Sequence, residues 1–338
     1  MTNDIASEIL SRESGVNENP LFNIKTANEW IKDAESKPIP NKLFLELWHE
    51  GELCILFADT NVGKSILAVQ IGDRISRGKT NDIFEVTAPK QKVLYFDFEL
   101  SDKQFQMRYS DNYINPYLFD PDFLRVEINR DYILLGNFEA VLLAEMEREI
   151  LRTGAKVLII DNITYLKTQS TDTAKEALPL MNMLNQLKRK YNLSILALAH
   201  TPKRDHYKPI SVNDLAGSKH LSNFADSIFA IGQSNKQTNL RYIKQIKARA
   251  TEKFYDTDYV IVCEIEKNIN FLGFKHIEFG NEIEHLRQRT EADRSEAEKL
   301  VIELYTNSPS LSFNAIGEQL SVHPKTVSRI LKKYKVSQ

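Results

Sequence analysis

Cysteine is almost missing from this chain: Cys54 and Cys263 are the only two in 338 residues, and each stands inside an apolar run. They cannot form a disulfide framework and read as small buried hydrophobes of a reduced, cytoplasmic protein. The seven histidines do not cluster with them, so no metal site of that kind is expected. No apolar stretch approaches the roughly 18 residues needed to cross a bilayer, and the start MTNDIASEILSRESG has neither a basic n-region nor an apolar h-region. A membrane span and a secretory leader are therefore not expected. Excess charge is lacking too: 44 basic and 46 acidic side chains give a net charge of −2, which excludes a wholly basic nucleic-acid coat. Repeats and low-complexity tracts are not visible.

What is present is an ordinary globular composition, 42% hydrophobic and 27% charged, in a chain too long for one average domain. The charge is unevenly placed. Residues 1–50 carry nine acidic and five basic side chains, whereas the last 18 residues hold Lys325, Arg329, Lys332, Lys333 and Lys335 and no carboxylate side chain. Four regions follow. Residues 1–40 read as a flexible arm and a short helix opened by the capping-box pair Thr26 and Glu29. Over 41–280, short apolar runs (LCILF, KVLYFDF, FLRVEI, AKVLIID, LSILALA, DSIFAIG) alternate with helical stretches, the pattern of βαβ units and a mostly parallel sheet with helices on both faces. Strand patterns at 239–247, 259–267 and 271–279 add an antiparallel extension. Residues 281–293, charged and poor in apolar side chains, read as a linker, and 294–338 as a small all-α domain.

LCILF runs into Ala58-Asp59-Thr60-Asn61-Val62-Gly63-Lys64-Ser65 and then a helix with Leu67, Ile71 and Ile75 at four-residue spacing. This strand, loop and helix fit the P-loop pattern GxxxxGK[ST] except at Ala58, which can serve there if its φ is negative. Backbone N–H groups and the helix N-terminus form an anion nest, Lys64 brings a cation to the β/γ-phosphates, and the Ser65 hydroxyl can ligate Mg²⁺. The strand VLIID ends in Asp161, a Walker B pattern when read beside the loop and a turn or cap residue when read alone. Together they point to ATP and Mg²⁺. Hydrolysis also needs a carboxylate to orient or deprotonate water. Glu99 ends the strand YFDFE at the rim, and Asp97, on the same face and two residues deeper, is the alternative.

This order of motifs resembles the RecA-type ATPases rather than AAA+ proteins, and within them the RepA-like and DnaB-like hexameric helicase branch. The segment PISVNDLAGS at 209–218, followed by Ala225-Asp226, looks like that branch's DNA-facing loop, and Ile246-Lys247-Ala248-Arg249 is similar to its KxR finger pair. The resemblance covers about residues 40–280. It implies a RecA-like P-loop NTPase core, ATP hydrolysis, a homo-oligomeric ring (a hexamer) and DNA as partner. The primase or helical amino-terminal domains of replicative helicases have no counterpart.

The resemblance also places His200, where many relatives carry Gln, near the γ-phosphate, able to donate to it and relay its loss. The plainer alternative is a satisfied histidine at a strand end. Lys203, Arg204, His206 and Lys208 crowd the next loop, as DNA contacts lining a channel or as solvated surface. Lys247 and Arg249 share a strand face, as fingers acting on a neighbour's phosphate or as edge protection.

In the tail, FNAIGEQLSVHPKTVSRILKKYK resembles the helix-turn-helix domains of bacterial regulators, with Ser321 at the turn position where Gly is usual. Ala297, Leu300, Val301 and Leu304, then Ile316 and Leu320, then Val327, Ile330, Leu331 and Tyr334 mark three helices. The opposite face of the third presents Lys325, Ser328, Arg329, Lys332 and Lys333 for phosphates and base edges; a helical protein-interaction domain is the alternative. The readings that follow are a DNA-binding, ring-forming ATPase of a mobile element, helicase-like or acting in replication or mobilisation; an ATP-switched DNA-binding regulator that never translocates; and a recombinase-like filament protein.

Overall fold

The structure is a computed structural model that describes residues 22–80, 82–129, 131, 138–163, 177–201, 204–216, 218–249, 251–288, 291–320 and 322–334. It divides into two units, Met1–Pro40 and Asn41–Gln338. In the first, α1 (Ala27–Glu35) begins where the sequence pattern places it. The Thr26 side chain accepts from Glu29 N while the Glu29 carboxylate accepts from Thr26 N. None of its residues is buried. Residues 1–21, expected as an arm, lie outside the described residues.

The second unit opens with a small sheet, β1 (Lys42–Phe44) with β2 (Trp48–His49). Then come β3 (Leu53–Ala58), α2 (Lys64–Arg77), β4 (Val93–Asp97), α3 (Asp102–Arg108), the hairpin β5 (Ser110–Asp111) and β6 (Ile114–Pro116), and β7 (Phe123–Val126). They are followed by α4 (Phe138–Thr153), β8 (Val157–Asp161), α5 (Ala177–Tyr191), β9 (Ser194–His200), α6 (Ser218–Phe224) and β10 (Ser227–Gln233). The sheet is completed by β11 (Leu240–Ala248), β12 (Val260–Asn268) and β13 (Phe271–Gly280), and the chain described ends in α7 (Glu291–Asn307), α8 (Phe313–Leu320) and α9 (Pro324–Lys333).

Nine strands form one sheet in the order β13-β12-β11-β10-β3-β9-β8-β4-β7. From β10 to β7 every pairing is parallel; β10 to β13 are antiparallel neighbours, the extension expected from the sequence. The parallel strands read as unbroken apolar runs because both faces are covered. Leu67, Ile71 and Ile75 of α2 pack with Leu196, Leu198 and Phe229 on one face, and Met146, Ile150, Leu184 and Leu187 of α4 and α5 with Ile55, Phe57 and Leu158 on the other. This is the RecA-like P-loop ATPase fold, a mostly parallel sheet with helices on both faces.

The segment expected as a linker is packed rather than free over its first half. Glu282 and His285 are buried, Lys244 Nζ donates to Glu282 Oε2 at 2.6 Å, and His285 Nδ1 lies 2.8 Å from Ser234 Oγ. Charge misled the reading, because a carboxylate can be buried when a cation and a backbone N–H meet it. Here Ile210 N supplies the second bond, at 2.6 Å.

The last three helices close around Val301, Tyr305, Ile316, Val327, Ile330 and Leu331. Two residues expected inside are not. Leu300 is exposed, and Tyr334 turns its hydroxyl to Glu298, 2.6 Å away. Gly317 permits the tight α8–α9 junction, since a Cβ there would lie 2.5 Å from the Val322 carbonyl. Ser321 lies outside the described residues.

Candidate active site

The parallel register aligns the carboxyl ends of β3, β8 and β9 at one rim, with Ala58 level with His200 and Asp161 level with Asp97. In an open α/β sheet that rim is where ligands bind. Ala58 is the last residue of β3 and does not adopt positive φ, so the loop needs no glycine there. Glycine is needed at Gly63, where φ is +114° and a Cβ would meet Ile265 and Phe274 at about 3 Å. Among the described residues no side chain caps α2, which leaves its first amides free of a capping side chain. Lys64 Nζ donates to the Ala58 and Asp59 carbonyls at 2.9 and 3.0 Å. Burial lowers its pKa, against the raising pull of Asp161, Glu99 and Asp59.

Asp161 is fully buried at the end of β8. Tyr95 donates its hydroxyl to Oδ2 at 2.7 Å, and Oδ1 has no hydrogen-bond partner among the described residues. Burial pushes this carboxyl up to about 6, with the nearby Ser65 and Tyr95 hydroxyls working against it. A buried acceptor beside a serine hydroxyl at a helix N-terminus is the donor set a divalent cation takes. Thr60, Asn61 and Val62 complete the loop, Asn61 at φ +61°.

Glu99 and Asp97 are separated by their partners. Asp97 is buried; its Oδ2 accepts from Arg125 Nε at 2.9 Å and its Oδ1 from the amides of Glu99 and Leu100. It holds the turn, with three hydrogen bonds on its two oxygens. Glu99 is half-exposed and stands 3.5 Å from His200 Nε2. The His200 contact, with Lys64 and Asn162 adding to it, holds its carboxyl below the ordinary range against desolvation. Asn162, which the sequence reading passed over, joins the two: its Nδ2 donates to Glu99 Oε1 and lies 3.0 Å from His200 Nε2. Standing directly after Asp161, it carried a signal only in that position. His200 also accepts the Ala216 amide on its carbonyl, at 3.3 Å.

A family model described as AAA domain matches residues 18–206, more than half of the chain. The chain belongs to the AAA domain family. No curated protein matches it. Among solved structures, the crystal structure of a KaiC-like protein from the hyperthermophilic archaeon Pyrococcus horikoshii OT3 is similar at a TM-score of 0.45 and 13% identity, over 69% of this chain and 93% of that one. As an AAA domain protein of RecA-like fold, this is a nucleotide-binding ATPase.

The other candidate residues of this AAA domain protein are dispersed. Lys247 and Arg249 lie at the opposite rim from their own phosphate loop, since Ala248 pairs with Ser227 and Ser227 with Cys54. Lys247 Nζ donates to the Ser222 and Ala225 carbonyls at the end of α6, and Arg249 to Asp226 Oδ1 at 3.0 Å. Arg204 is partly buried with a guanidinium N–H on the Lys208 carbonyl, and Lys208 pairs with Asp205 at 3.0 Å. Lys203 lies outside the described residues. On α9, Lys325, Arg329 and Lys332 are exposed and Ser328 is half-buried. Lys333 instead reaches back to Glu298 of α7, at 2.9 Å, because α7 packs close enough to offer a carboxylate. Among the described residues no helix is long and apolar enough to cross a membrane.

Proposed function

We propose that this AAA domain protein is a DNA-binding, ring-forming ATPase whose hydrolysis of ATP drives DNA remodelling, as a helicase-like replication or mobilisation factor of a mobile element. The observation that carries this reading is the Glu99–Asn162–His200 linkage with Ala216 N on the His200 carbonyl. The carboxylate positioned to orient water is joined to the strand end from which the basic loop departs. In this reading Lys64 and the loop amides hold the β/γ-phosphates, Ser65 and Asp161 hold Mg²⁺, and Glu99 takes the proton of the attacking water. Bound Mg²⁺ supplies charge neutralisation of the phosphates.

Lys247 and Arg249, out of reach of their own loop, act on a neighbour's nucleotide, so turnover depends on assembly. Arg249→Ala is expected to lower ATP turnover without weakening nucleotide binding to an isolated subunit. Mixing it with Lys64→Ala subunits restores part of the activity at mixed interfaces. A parental rate in a dilute, monomeric preparation would contradict the ring.

A second reading, an ATP-switched DNA-binding regulator, is favoured by the tail, where Lys325, Arg329 and Lys332 leave α9 opposite buried Val327, Ile330 and Leu331. Strand displacement on a forked duplex separates the two: the first reading requires it and the second forbids it.

A further inference from the structure

Behind the phosphate loop lies a cation that the P-loop pattern does not contain. Arg241 is the second residue of β11. Because β11 runs antiparallel to β10 and β10 parallel to β3, Gln233 opposes Arg241 two residues past the level at which Ile231 opposes Ala58. That offset, about 7 Å along the strand, carries the guanidinium to the back of the loop. Nε donates to the Val62 carbonyl at 2.9 Å, and Nη1 to the Thr238 and Leu240 carbonyls at 2.7 and 2.8 Å. Ile265 and Phe274 lie against Gly63, the residue after Val62.

The residue is only 8% exposed and forms no ion pair with a carboxylate among the described residues; desolvation alone lowers its pKa. Burying an uncompensated charge is unfavourable, and a neutral amide could donate to two of the three carbonyls without it. The charge is therefore the informative feature. In a low-dielectric setting it acts over a longer distance than a surface lysine, and it lies against the peptide that leads into Gly63 and Lys64.

We propose that Arg241 is a positioning residue of the phosphate loop: it fixes the Val62 carbonyl outward, so that the following amides face the ligand, and supplies a second cation whose counter-charge is the nucleotide's polyphosphate. This rests on the nucleotide-hydrolysing reading of the site. A hydrogen bond to an ionised group is stronger than a neutral one, and the added field grows with the charge of the ligand. The contribution therefore rises from AMP to ADP to ATP.

The test uses the full chain carrying Arg241→Gln, Arg241→Met or Arg241→Lys, with competition of AMP, ADP and ATP against a fluorescent ADP analogue, and thermal melting alongside. Arg241→Gln, which keeps donors to the carbonyls but no charge, is expected to lose about tenfold in ATP affinity, less for ADP and least for AMP. Its salt dependence flattens, and Arg241→Lys recovers most of the loss. If Arg241→Gln melts like the parent and binds ATP and ADP equally well, the proposal is overturned. If all three nucleotides weaken by one factor while the melting point drops, or if Arg241→Lys is as impaired as Arg241→Met, the residue is structural and the proposal also fails. Should the neutral variants not fold, Arg241→Lys is expected to bind all three nucleotides within about threefold of the parent, and a larger loss of ATP affinity overturns the proposal. A Lys64→Ala protein that binds ATP as the parent does would instead show that the nucleotide reading of the loop is wrong.

Discussion

The two rims of one sheet treat charge in opposite ways. At the rim opposite the phosphate loop, Asp226 gathers Lys188 at 2.5 Å, Arg249 at 3.0 Å and the Leu53 amide at 2.9 Å. Those contacts hold its carboxyl below the ordinary range although burial opposes them. Lys247 closes the end of α6 beside it. Among the described residues, Lys64 and Arg241 at the phosphate rim meet only carbonyl oxygens as direct hydrogen-bond acceptors, and Asp161 keeps a buried oxygen without a partner. Charge paired within the subunit is held in place by its own fold, whereas buried charge left without a counter-charge is the usual mark of a ligand site.

The largest effects that sharpen this contrast belong to the phosphate rim. Lys64→Ala is expected to abolish ATP turnover, and Glu99→Gln to keep nucleotide bound while slowing phosphate release at least about a hundredfold. Glu99→Gln turning over at the parental rate would return Asp97 to candidacy, against its bonds to Arg125.

At the opposite rim the expected loss is of stability rather than of nucleotide. Asp226→Ala strands Lys188, Arg249 and the Leu53 amide, and should cost about 2 kcal/mol by urea unfolding, a partly exposed network being worth less than a buried pair. Nucleotide affinity of the isolated subunit should stay within about twofold. A large drop in ATP binding, with stability intact, would break the comparison.

Smaller still is the effect at His285, which belongs to neither category. Burial and the nearby Lys236 lower its pKa from 6.5, while Glu284, Glu278 and Glu282 pull the other way. With the folded value below the unfolded one, the unfolded chain binds the proton first as pH falls. This contribution is therefore present above about 6.5 and is lost on acidification below it. His285→Gln should flatten the fall in urea midpoint between pH 6.5 and 5 relative to the parent. Equal slopes would remove His285 as the source.

The tail has the mildest expected consequence for the ATPase. Neutralising Lys325, Arg329 and Lys332 should leave basal ATP turnover unchanged while the salt slope of duplex binding flattens by about one unit per lost phosphate contact. Unchanged duplex binding after removal of residues 291–338 would assign DNA to the core alone.

Local chemistry was legible in the residues themselves. The P-loop spacing, the apolar run ending in Asp161, the Thr26–Glu29 capping box and the three strands after residue 239 each follow from short-range pattern, because a phosphate nest and a buried strand are specified by a few consecutive side chains. What only the tertiary structure decided involves partners far apart in sequence. Arg125 pairs with Asp97, Glu298 pairs with Lys333, and Ile210 with Lys244 buries Glu282 in a segment that reads as a linker. Asn162 and Arg241 acquire meaning in the same way, one through Glu99 and His200 and the other through Val62. A side chain's charge is written in the sequence, but whether that charge is paired or left for a ligand depends on which distant groups the fold brings within about 3 Å.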